Sequence, residues 1–218
     1  EIDFTGNGRL QLAGTVTSLG TLSDDNGTVE YDGGTQSVLA NTYYNLEIDQ
    51  SGNKTTAGTV NTEGDITITG GTLDINGNSL YCAGNFSNAG SLISPSTTTF
   101  YLDGNGVNTN LGGFSDTDIN LRKSGSSNIT TTGNIDCRAL ALNSGSSNSF
   151  IIDGETITVS QYVSVEGGTL QITSGSFTAT KNTGSTNLYT GFNLNGGSID
   201  VDGGTMSFGE QSDQTADL

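Results

Sequence analysis

The sequence predicts an all-β chain wound into a roughly triangular β-solenoid with about 20 residues per coil, on three observations. Apolar residues alternate in short triplets, the triplets recur at two nested spacings, and glycine or asparagine marks the corners between them.

The triplet is apolar, any, apolar. Leu10-Gln11-Leu12, Val29-Glu30-Tyr31, Leu46-Glu47-Ile48, Ile66-Thr67-Ile68 and Leu73-Asp74-Ile75 are early examples. Leu80-Tyr81-Cys82, Phe100-Tyr101-Leu102, Ile119-Asn120-Leu121, Leu140-Ala141-Leu142 and Ile157-Thr158-Val159 continue it. Period two is the mark of a strand buried on one side. Triplets begin at 66, 73 and 80, at 157, 163 and 170, and at 192, 199 and 206. That step holds a short strand and a two-residue corner. Such a corner is too short for a parallel crossover within one sheet, and it suits a chain turning onto a new side. Triplets also begin at 10, 29, 46 and 66, and at 80, 100, 119 and 140. Three sides therefore make one coil. Across 218 residues this gives about 10–11 coils and a rod about 50 Å long at ~4.8 Å per coil.

Gly-Gly-[Thr/Ser]-apolar-x-apolar occurs at Gly70–Ile75, Gly167–Ile172, Gly196–Val201 and Gly203–Phe208. Glycine supplies the positive φ of a tight corner, and threonine then opens a strand. A longer likeness lies above the coil. Thr28–Gly33 resembles Thr99–Gly104, Thr55–Val60 resembles Thr130–Ile135, and Leu73–Gly77 resembles Phe150–Gly154. The expected organisation is one continuous solenoid over 1–218. Its superunits are about 28–98 and 99–175, followed by C-terminal coils to 208 and an acidic tail over 209–218. No segment carries a 3.6-residue apolar stripe with caps, so no substantial helix is expected.

Charge narrows the function classes. There are 23 acidic and six basic side chains, no histidine, and a net charge of −17. Phosphate backbones and anionic membranes call for clustered Lys and Arg, so nucleic-acid and membrane-surface binding are not expected. No apolar run approaches the ~20 residues of a membrane-spanning helix. A processed secreted product or a segment of a longer chain both fit the start at Glu1.

The stretch Gly70-Gly-Thr-Leu-Asp-Ile-Asn-Gly-Asn-Ser-Leu-Tyr-Cys-Ala-Gly-Asn-Phe-Ser-Asn-Ala-Gly90 resembles the glycine- and asparagine-rich repeats of large secreted bacterial surface adhesins. It is similar to filamentous-haemagglutinin-like and autotransporter-passenger repeats, and to those of Bacteroidetes-type surface proteins. The resemblance implies a right-handed parallel β-helix on the bacterial cell surface, extracellular, and carries over no catalytic residue. The expected role is structural or adhesive, with end-to-end or lateral self-assembly into filaments, or with host and environmental glycans as partners. The alternatives are a glycan-binding or polysaccharide-cleaving β-helix and an ice-binding solenoid.

Candidate site residues are few. Acid–base cleavage of a polysaccharide needs paired carboxylates or a carboxylate with a base. The candidate pairs are Asp24-Asp25, Asp116/Asp118 and Asp200/Asp202, with Arg122-Lys123 and Arg138 as bases. An enzyme is not expected, because outward carboxylates on a solenoid are ordinarily just solvated. No cofactor is expected, apart from loose Ca²⁺ binding at Asp24, Asp25, Asp116 and Asp118. Asp74-Ile-Asn76-Gly-Asn78 mimics the start of a Ca²⁺ loop, but Ser79 and Asn85 stand where an EF-hand needs Gly and Glu. Cys82 and Cys137 are buried small hydrophobes or one disulfide. Thr15/Thr17, Thr67/Thr69, Thr156/Thr158 and Thr178/Thr180 do not recur at one coil step, which argues against a regular ice-facing array. Tyr43, Tyr44 and Tyr189 either stack on sugars or pack at corners.

Overall fold

The computed structural model describes residues 1–23, 26–105, 108–143, 148–180 and 192–208. Among them there is no helix, and every strand pairing is parallel. The chain is a parallel β-solenoid of about eight turns.

The first complete coil runs through Thr28–Tyr31, Gln36–Val38 and Thr42–Tyr43, one strand per side. The second repeats this with Asn45–Ile48, Asn53–Thr56 and Val60–Thr62. We number the sides 1, 2 and 3 in that order. On side 1 the register stacks Val29 on Leu46, Ile66 and Phe86. On side 2 it stacks Lys54 on Leu73 and Leu92. On side 3 it stacks Val60, Leu80, Phe100, Leu121, Leu140, Val163 and Phe192. Later coils bend through their corners without interrupting the pairing. Ser149–Val165 carries all three sides in one run, with register shifts where it turns.

The alternation in the triplets is what the fold uses. In Ile66–Ile68 and Leu80–Cys82 the outer two residues are buried and the middle one faces outward. The inward residues of all three sides merge into a single apolar column from Phe4 to Phe177. Each fully buried Leu, Ile or Phe contributes roughly 1.5–3 kcal/mol relative to exposure. Because contacts join mainly neighbouring coils, stability accumulates coil by coil.

Two expectations need correction. The coil count is about eight, not 10–11, and the rod is accordingly about 40 Å long at ~4.8 Å per coil. The steps from Phe86 to Leu111 and from Thr169 to Ser198 hold longer corners than the sequence spacing implied. Before Thr28 the winding is marked only by Arg9–Leu12 under Thr28–Tyr31 and by the parallel Ile2–Leu22 bridge, and 209–218 lie outside the described residues. The long sequence likeness also does not return to the same side. Thr28–Tyr31 lies on side 1, whereas Thr99 and Phe100 lie on side 3 beside Leu80 and Leu121. The likeness therefore advances by a number of sides that does not close a coil, so equivalent residues do not stack on one another.

Candidate functional site

The interior is not wholly apolar. Lys54 and Lys123 are buried at 0% and 1% exposure, although both read as surface charge in the sequence. Lys54 follows a tight corner in which Gln50 has φ 61° and Gly52 φ 109°. Its Nζ donates to the carbonyls of Asp49 and Gln50, the latter at 2.8 Å, and so holds the turn from inside. Lys123 Nζ donates to Gly125 O at 2.8 Å. Burial lowers the pKa of both. The signal was present: Lys123 has the same parity as Ile119 and Leu121, so the strand turns it inward. Lys123 is accordingly no base for acid–base chemistry at the surface.

The two lysines are held differently, and that yields a prediction. With one carbonyl partner, Lys123 retains most of the cost of a buried charge. Lys123→Met is expected to raise stability at neutral pH by roughly 1–2 kcal/mol. The sign follows from the lowered pKa. The penalty is present in full below the folded-state pKa and is relieved as pH rises through it toward the unfolded value. Thermal unfolding of both proteins across pH 7–10.5 checks this, and the gap in Tm should narrow toward the alkaline end. A less stable variant at pH 7 would contradict it.

Polar groups on the outside pair mostly along the rod. On side 1, Arg9 bridges Glu30 at 2.7 Å and Glu47 at 2.6 Å, and Gln11 donates to Glu30 at 2.8 Å. The guanidinium is held well above its ordinary pKa by these carboxylates. At the corner before side 1, Asn45 accepts the Asp65 N–H, Asp65 the Asn85 N–H, and Asn85 the Asn110 N–H, at 2.7–2.9 Å. Asparagine and aspartate thus serve the corner as backbone acceptors. A depression of about 410 Å³ lies beside this row, lined by Asn7, Asn26, Thr28, Tyr44 and Asp65.

Side 3 carries the most distinctive outer row. Tyr81 and Tyr101 stack at 4.3 Å between centroids, with 4° between their planes. Arg122 follows in register, its guanidinium carbon 5.9 Å from the Tyr101 centroid. Tyrosines in adjacent triplets, Leu80-Tyr81-Cys82 and Phe100-Tyr101-Leu102, were its only sequence trace.

The sequence candidates fall as follows. Asp24 and Asp25 lie outside the described residues, as do Tyr189 and Lys181. Asp116 and Asp118 are close, but both Asp116 oxygens accept backbone N–H groups, from Ser94 at 2.6 Å and Asp118 at 2.8 Å. Asp116 thereby works as a corner anchor. Asp200 and Asp202 are both exposed on the last coil. In the imitation Ca²⁺ loop, Asp74 instead accepts the Asn76 N–H at 2.8 Å, and Asn76 has φ 50°. Tyr43 is buried, its hydroxyl 3.0 Å from that of Tyr31, while Tyr44 reaches the surface depression.

Cys82 and Cys137 are both free and buried. They lie on different sides and three coils apart, roughly 14 Å along the rod, beyond the ~7 Å that a disulfide spans. The disulfide left open by the sequence is therefore not formed. Burial pushes both thiols up to about 12, which makes them inert packing groups.

The structure also assembles hydroxyls that the spacing of Thr-x-Thr had scattered. On side 2, Thr156 and Thr158, Ser176 and Thr178, and Thr205 and Ser207 lie in register on three coils. Serine at alternate positions hid the row. These hydroxyls bond to one another along the rod, Ser176 to Thr156 at 3.2 Å and Thr178 to Ser207 at 3.0 Å.

No family model, curated protein or solved structure matches the chain. The class that the fold defines is the parallel β-solenoids, with about eight stacked turns in a β-helical repeat.

Proposed function

We propose that this chain is a structural and adhesive segment of an extracellular bacterial surface protein, a stiff rod that extends by stacking coil on coil with a second copy. One observation carries the reading. At the C-terminal rung one of the two inward residues on each side is open to solvent, Leu194 at 49%, Val201 at 46% and Phe208 at 54%, while Phe192, Ile199 and Met206 stay packed on the core. One coil earlier, the matching positions Val165 and Ile172 are fully buried. The strands 192–194, 198–201 and 205–208 have no described coil beyond them, so their outer edges offer a template for another parallel strand. The outer surface supports the role of a spacer, since its short polar side chains bond from coil to coil.

Electron microscopy of the purified chain across a concentration series tests this. Filaments one rod wide are expected for the native sequence, and isolated rods about 40 Å long for Phe208→Asp. Isolated rods from both proteins at every concentration would overturn the stacking.

A further inference from the structure

We infer that the second copy docks in one direction only, with its first strand Arg9–Leu12 seated on the last side-1 strand Ser198–Val201, so that its Arg9 faces Asp200. The inference names the partner surface for the stacking reading and so rests on it.

Register defines the seat. One inward column on side 1 starts at Leu10, passes Val29, Phe86 and Leu111, and ends at Ile172 and Val201. Thr131 keeps the column in step with Ile152, one residue on from the Thr130–Ile151 pair. Among the described residues, Arg9–Leu12 pairs only with Thr28–Tyr31, and Ser198–Val201 only with Thr169–Ile172. Each strand has four residues and one unpaired edge. A second copy added as the next coil of this column sets its Leu10 on Val201, its Arg9 on Asp200 and its Gln11 on Asp202. Val201, 46% exposed, and the half-buried Leu10 then cover one another. The new pairing is parallel, as is every pairing among the described strands.

Charge sets the direction. Arg122 and Arg138 lie within the rod, bonded to Asn143 and Asn120, and Lys54 and Lys123 are buried. Among the described residues Arg9 is thus the one basic side chain beside an open edge. It bridges Glu30 at 2.7 Å and Glu47 at 2.6 Å, yet its side chain is 46% exposed. Both carboxylates belong to later coils, so they approach it from the rod side. They engage two of its five N–H donors, and the others are open to a carboxylate from the far side. Asp200 and Asp202 are exposed on the last rung. Docked, Asp200 lies two coil spacings from Glu30, roughly 9–10 Å, with the guanidinium between them. The reversed arrangements lack this pairing. Two C-terminal rungs would gather two Asp200 and two Asp202 with no cation, and two N-terminal rungs would gather two Arg9. Like charges opposed across a strand pair destabilise it.

Mild oxidation of Gln11→Cys/Asp202→Cys tests the seat, because a coil spacing of ~4.8 Å falls within the Cα separation of about 4.4–6.8 Å that a disulfide spans. Cys82 and Cys137 are buried, with thiols pushed up to about 12, and add no background. A ladder of covalent oligomers is expected from the double variant, and monomers from each single variant. Dimers from either single variant in equal yield would overturn the direction. An equal ladder from Gln11→Cys/Ser207→Cys, whose second cysteine stands on side 2, would overturn the register. Asp200→Arg should abolish filaments in the microscopy series with circular dichroism unchanged, and undiminished filaments would overturn the role of charge. The two readings fail separately. Filaments one rod wide without a ladder would mean that stacking stands and this seat is wrong. A ladder with isolated rods at every concentration would mean that the seat is right and the filament falls. Neither filaments nor a ladder would overturn both.

Discussion

Phe100→Ala is expected to cost about 3–5 kcal/mol, the largest loss from any single core truncation in the rod. Phe100 is fully buried on side 3. Its ring meets Phe86 of side 1 edge-on at 5.1 Å and Phe114 of side 2 at 6.1 Å. Three sides therefore join at one aromatic cluster, and the backbones around it are fixed by the coils above and below. The cavity left by alanine cannot collapse without drawing strands out of register. Tyr101→Ala is the matched control, since it removes an outward ring on the same strand. It forfeits the stack on Tyr81, worth about 0.5–1.5 kcal/mol. Urea denaturation of both variants reads the contrast as a shift in midpoint at constant m-value. Equal losses would mean that the inward and outward assignments on this strand are wrong.

That contrast also marks what the sequence could disclose. Phe100-Tyr101-Leu102 announces by its alternation which side chain faces the core, and the structure agrees at all three positions. Period two is a property of one strand and needs no knowledge of any other. Neighbours between coils are different, because they depend on register, and register depends on how many residues each corner consumes. Phe86 pairs with Leu111 across a long corner, and Ala139 pairs with Tyr162 after a bulge. Neither is set by local pattern. The coil count therefore came out too high, and the rows that define the outer surface stayed hidden. The row from Tyr81 to Arg122 and the hydroxyl row on side 2 are both of this kind. Lys54 and Lys123 were missed for a different reason. Lys123 keeps the parity of Ile119 and Leu121, whereas Asn53–Thr56 holds no apolar residue to set a parity for Lys54, and a lysine at an inward position is credible only once backbone carbonyls are seen to receive its ammonium.

Gly71→Ala should be nearly as damaging as the loss of Phe100, through the backbone rather than the core. Gly71 has φ 69°, a region that costs an L-residue roughly 1–2 kcal/mol by itself. A Cβ there would also lie 2.4 Å from Gln50 O and 2.7 Å from Gly52 O. Both are main-chain atoms of the preceding coil, so no side-chain rotation relieves the contact. The corner has to lift, yet it is tied on both sides. Thr72 N–H donates to Gly52 O, and Ser91 N–H donates to Gly71 O, each at 3.0 Å. Strain and a loosened hydrogen bond together set the expected loss at no less than about 2 kcal/mol. Gly34 lies in the same corner column one coil before Gly52, but a Cβ on it meets nothing within 4 Å. Gly34→Ala should therefore stay within about 0.5 kcal/mol of the native protein. Hydrogen exchange at the Thr72 and Ser91 amides locates the effect. Faster exchange at both in Gly71→Ala, and at neither in Gly34→Ala, is the result that close approach of successive coils requires. Unchanged exchange in both would mean that the corner has room to spare and that glycine serves there only for its conformation.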